Sequence, residues 1–100
     1  MTNKQLLNKA RKAYEERKAE INKDLHDYNY WELYMRYALC EWLEELMCSH
    51  EEDYEELIEY LKSKNNPLDW LFQVMQKRES NLWDEISDVM DYQMKYEKEH

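Results

Sequence analysis

There is no glycine among these 100 residues, and proline and phenylalanine occur once each. Tight hairpin turns depend on glycine for backbone angles that other residues resist, so a sheet-rich fold is excluded. A glycine loop cradling phosphate is excluded on the same ground, as is the GxSxG elbow that presents a nucleophilic serine. No long apolar run exists either. The longest stretch without a charge is the seven residues from Trp70 to Gln76, against the roughly 20 that a membrane-crossing helix needs. The basic N-terminal segment, with Lys4, Lys9, Arg11 and Lys12, has no apolar stretch behind it and does not read as a secretory signal. Cysteine is scarce: Cys40 and Cys48 stand eight positions apart, about 12 Å on one helix, beyond the ~7 Å Cα separation that a disulfide spans. Two unpaired cysteines without an export signal point to a reducing, cytoplasmic setting. Positive charge is in deficit: 14 Lys and Arg face 23 Asp and Glu, a net charge of −9, which argues against direct, nonspecific contact with nucleic acid.

Aromatic residues are plentiful, with nine Tyr and four Trp, and 43% of the chain is hydrophobic, so disorder is excluded. The length is that of one domain, residues 1–100. Five helical segments follow from apolar spacing and capping residues. Thr2 and Gln5 form a capping box, and a first helix runs to about Asp24 with Arg17 interrupting its apolar stripe. Asp27 or Asn29 caps a second helix, Asn29 and Glu32 making another box; this segment is apolar around most of its circumference and is expected to be central. Ser49 with Glu52 opens a third helix carrying Tyr54, Leu57, Ile58 and Leu61. After the break at Lys62 to Asn66, Asn66 caps a fourth helix that starts at Pro67. Ser80 or Asn81 restarts the chain for the last helix, marked by Leu82, Ile86, Val89 and Met90, and the polar tail after Tyr96 is expected to fray. The expected fold is all-α: a compact bundle of about five helices around an apolar central helix.

The acidic excess is concentrated in the middle. Residues 28–64 carry ten acidic and three basic groups, whereas residues 1–27 carry five acidic and seven basic. Glu52, Glu55, Glu56 and Glu59 fall on one face of the third helix, and Glu41, Glu44 and Glu45 make a second patch on the helix before it. Two readings are open. The carboxylates at the start of the third helix complement the helix dipole, and an outward acidic face keeps a small protein dispersed. Alternatively, carboxylates one turn apart, about 6 Å, approximate the spacing of successive phosphates and fit a basic nucleic-acid channel.

Most of the aromatic load is expected in the core, including Trp31, Tyr34, Trp42, Trp70, Phe72 and Trp83. The surplus, among Tyr28, Tyr30, Tyr60, Tyr92 and Tyr96, is expected in solvent or at an interface, with Tyr60 beside the acidic face. Cys40 and Cys48 read as small core residues. No CxxC or HxxxH spacing and no Glu-x-x-His pair occurs, so no metal or other cofactor is expected. The Cys48–His50 pair is too local for a nucleophilic dyad, and no catalytic residues are assigned. The first helix is mixed in charge, with Lys4, Arg11 and Lys18 on one stripe beside Glu15, Glu16 and Glu20, and reads as a solvated helix docked against the acidic middle.

The helix start Pro67-Leu68-Asp69, with the run through Lys77-Arg78-Glu79 to Asp84-Glu85-Ile86, resembles a family of short bacterial and mobile-element proteins described only as a domain of unknown function. That resemblance spans the last third of the chain and implies a small helical protein without assigned site residues. In type the chain also resembles phage-encoded anti-CRISPR proteins: small, acidic and free of catalytic motifs. This resemblance implies an inhibitor and identifies no target. Taken with the acidic face, the expectation is a non-catalytic inhibitor whose partner is a basic nucleic-acid-binding protein such as a CRISPR effector. The expected contact residues are Glu41, Glu44, Glu45, Glu52, Glu55, Glu56, Glu59 and Tyr60. The alternative is a small interaction module, a homodimer burying part of the aromatic surplus.

Overall fold

The computed structural model describes residues 1–21, 27–48, 54–78 and 85–100. Five helices run through them: α1 (Asn3–Ile21), α2 (Asp27–Cys48), α3 (Glu55–Lys62), α4 (Pro67–Arg78) and α5 (Ile86–Glu99). The chain is an all-α bundle. The expected caps at Ser49, Glu52, Ser80 and Asn81, and the aromatic Trp83, lie outside the described residues.

Two starts form as the sequence dictates. The Gln5 backbone N–H donates to Thr2 Oγ1 (3.1 Å) and the Thr2 N–H donates to Gln5 Oε1 (2.8 Å), the reciprocal capping box. At α4, Pro67 takes the first helical position and the Asp69 N–H donates to Asn66 Oδ1 at 3.0 Å. A third start differs. Asn29 already lies inside α2, and the Glu32 carboxylate turns into the protein, where Arg17 and Arg36 hold it, instead of reaching back to a cap.

Helices α1 and α2 run antiparallel, since Arg11, Tyr14 and Arg17 meet Glu44, Tyr37 and Glu32 in reverse order. Helix α4 lies across both, and α5 joins α4 and α3. All five helices feed one apolar cluster. Leu6, Leu39, Leu43, Leu57, Leu61, Leu68, Leu71, Met90 and Met94 are fully buried in it. Each such side chain contributes roughly 2 kcal/mol, which makes this cluster the main source of cohesion. Indole and phenol groups that enter it keep a polar end satisfied. Trp42 Nε1 donates to Ser87 Oγ at 3.0 Å, and Trp70 Nε1 and Tyr60 Oη both donate to Glu97, at 3.0 and 2.9 Å.

Three side-chain expectations and one terminal one are corrected. Trp31 and Tyr34 are exposed, not core: Trp31 leans on Phe72 at the edge of α4 and keeps 44% of its surface in solvent, and Tyr34 lies on a face of α2 that its neighbours leave open. Cys40 is buried, but Cys48, at the last turn of α2, is in solvent. The tail after Tyr96 does not fray: α5 continues to Glu99, held by Glu97 and by the Lys98 ammonium, which donates to Glu56 at 2.8 Å. A polar tail is ordered here because its charges have partners on α3 and α4.

Candidate functional site

The α1–α2–α4 junction holds a buried ion-pair network. Arg17 donates twice to Glu32, from Nε at 2.6 Å and from Nη2 at 3.2 Å. Arg36 Nε donates to the same carboxylate at 2.9 Å, and its Nη2 donates to Asp69 at 3.1 Å. Glu32 and Arg36 are only 3% and 7% exposed, so each depends on the other for compensation. The hydrogen bond from Arg17, with that from Arg36, holds the Glu32 carboxyl below the usual carboxylate range, and Glu32 in turn raises Arg17. The Arg36 guanidinium lies over the Phe72 ring, 4.4 Å from its centroid, and the Trp31 ring leans on the same Phe72 ring, centroids 5.7 Å apart. An open polar cleft of about 380 Å3 lies against the network, lined by Glu16, Arg17, Glu20, Arg36, Asn66 and Asp69. Arg17, Glu20, Arg36 and Asp69 along it are engaged in ion pairs with one another or with Glu32. Arg17 interrupting the apolar stripe of α1, and Arg36 inside an otherwise apolar stretch of α2, were the sequence signals for this network.

The expected acidic contact residues divide into two groups. Three are engaged within the protein: Glu44 with Arg11, Glu56 with Lys98, and Glu59 with Lys62, the last two held below the usual carboxylate range by those lysines. Glu41, Glu45 and Glu55 are exposed and have no ion-pair partner among the described residues. Glu52 lies outside the described residues. Tyr60 is half-buried; besides its bond to Glu97 it stands edge-on to Trp70, centroids 5.7 Å apart, with Lys64 over its ring at 4.5 Å. Helix α3 makes its larger packing contacts with α5 and α1.

The outward face of α2 is the feature that sequence reasoning missed. Tyr30, Tyr34 and Tyr37 are 57%, 66% and 51% exposed, and Trp31 flanks them at 44%. They continue in line into Glu41, Glu45 and Cys48, all exposed. The steps along this line are four, three, four, four and three residues, which keeps all six within about a quarter of the helix circumference. The signal was present as an aromatic line in register with an acidic one; the apolar count of the segment outweighed it. Cys40, on the inward side, has its thiol pushed up to about 11 by burial and is inert beside the exposed Cys48.

Among the described residues, no three His, Cys, Asp or Glu side chains converge as metal ligands, and no helix is long and apolar enough to cross a membrane. In comparisons with known proteins, no family model, no curated protein and no solved structure matches the chain.

Proposed function

We propose that this protein is a non-catalytic inhibitor that acts in the cytoplasm by occupying the basic nucleic-acid site of a host-defence protein, as anti-CRISPR proteins do. One observation carries the reading. On a chain of net charge −9, Glu41, Glu45 and Glu55 project into solvent with no ion-pair partner among the described residues, although neighbouring carboxylates are paired. Carboxylates kept free next to paired ones offer charge to an external cationic surface, and that surface gains on-rate and specificity from them. Helix α2 supplies rings alongside two of the three, and rings provide the desolvated anchors on which protein interfaces depend.

The test is displacement. A labelled nucleic acid bound to each of a panel of CRISPR effectors is titrated with the protein, and its anisotropy is followed. The proposal expects stoichiometric release from one effector class, weakened at least tenfold in a Glu41→Gln, Glu45→Gln, Glu55→Gln variant. Failure to release nucleic acid from any effector contradicts it.

A further inference from the structure

The outer line of α2 sets three exposed phenols in register with two exposed carboxylates. Three rings elsewhere in the protein carry a cation: Arg36 lies over Phe72 at 4.4 Å, Lys64 over Tyr60 at 4.5 Å and Arg78 over Tyr92 at 4.8 Å. Among the described residues no cation sits over Tyr30, Tyr34 or Tyr37, although these are among its most exposed rings. With Trp31 they leave on the order of 400 Å2 of aromatic surface in water, at about 200 Å2 per ring. That area is comparable to the largest apolar patch of a typical monomer, a patch that is often functional. The line continues into Glu41 and Glu45, so its only charges are negative, and neither has an ion-pair partner among the described residues. From Tyr30 to Cys48 it is about 27 Å long, five helical turns.

We infer that the outward face of α2, from Tyr30 to Glu45, is a docking surface for a basic amphipathic helix of a partner protein. Charge complementarity selects this occupant. A helix with an apolar stripe covers the rings, while its flanking arginines stack on the phenols and reach Glu41 and Glu45. A second copy of this chain would bring another net charge of −9 and another pair of free glutamates to the same surface. The face is also less than the ~800 Å2 per partner of a standard interface unless flanking charges take part, which again favours a cationic occupant. The inference deepens the proposed function and takes from it only that the partner is a basic protein.

The probe is a synthetic 18-residue helical peptide of leucines on one face and arginines on the other, titrated by fluorescence anisotropy. A matched peptide with glutamine for arginine serves as control. Wild type is expected to bind the arginine peptide at least tenfold more tightly than the glutamine one. Tyr34→Ala with Tyr37→Ala weakens it at least tenfold, and Glu41→Gln with Glu45→Gln about fivefold with a flatter salt dependence. Glu15→Gln with Glu99→Gln removes as much charge elsewhere, at two exposed positions, and stays within twofold. Unchanged far-UV circular dichroism and melting temperature establish that the variants fold. Four results overturn the inference: no binding, equal binding of both peptides, equal weakening by the control charges, or a wild-type dimer in sedimentation that the tyrosine variant dissociates. If an effector is inhibited but is indifferent to the tyrosine variant, the inference fails and the proposed function stands. If the peptide binds this face but no effector releases nucleic acid, the reverse holds.

Discussion

The two faces of the first half of α2 invert the usual arrangement of an amphipathic helix. The inward face carries Glu32 and Arg36, which are buried, and the outward face carries Tyr30, Tyr34 and Tyr37, which are exposed. In the second half the order is normal: Leu39, Leu43 and Leu46 face in, Glu41 and Glu45 face out. The difference lies in partners. Inside, each charge meets an opposite one on α1, α2 or α4, so burial is tolerated and three helices are fixed in register. Outside, the rings stay more than half exposed, with Tyr37 resting on Tyr14 of α1, centroids 5.8 Å apart. Buried charge thus serves the fold, and exposed aromatic surface is left over for something else.

The comparison breaks most visibly at Glu32. Glu32→Ala strands Arg36 without its main counter-ion, and the expected cost is about 3 kcal/mol, a fall of roughly 12 °C or more in melting temperature. Circular dichroism melting measures it; a loss under about 1 kcal/mol would mean that the network does not hold the junction.

Acid sharpens the same point. Glu32 binds its proton less readily in the folded chain than in the unfolded one, chiefly because Arg17 hydrogen-bonds the carboxylate. Its contribution is therefore complete above the unfolded value of about 4.3 and is lost as pH falls through the lower folded value. Urea unfolding between pH 5 and pH 2 is expected to show a steeper loss for wild type than for Glu32→Gln.

A smaller effect is expected at the far end of the bundle. Trp70→Phe keeps most of the packing and removes the indole donor to Glu97, which costs about 1 kcal/mol in denaturant unfolding. The same measurement on Glu97→Gln should give a similar or smaller loss, since Tyr60 and Trp70 both retain an acceptor there.

The smallest effect belongs to the outward face. Tyr34 is 66% exposed, so Tyr34→Ala is expected to shift stability by no more than about 0.5 kcal/mol. A loss several times larger would make the tyrosine line part of the fold.

The helices and the core were readable in advance, because 3.6-residue apolar spacing, a capping box at Thr2 and Gln5, and the Asn66–Pro67 start are local signals that tertiary structure did not override. The faces of α2 were not. An apolar-rich helix reads as buried all round, and only the positions of α1 and α4 decide which side is left open. Glu32 was misread for a related reason: a glutamate three residues after asparagine fits a cap locally, yet two arginines, one of them on another helix, offered it a stronger partner. The acidic patches were visible as composition, but which of their members are free depends on long-range pairs such as Arg11 with Glu44 and Lys98 with Glu56. No sequence spacing encodes those contacts.

The most direct test of a contact surface on α2 is amide chemical-shift mapping of the labelled protein on addition of the leucine–arginine peptide. The largest shifts are expected within residues 30–48, with side-chain shifts at Tyr34 and Tyr37, while α3 and α5 stay within noise. Shifts spread over α3 and α5, or centred on Glu55 and Glu56, would contradict the account and move the contact to the other acidic patch.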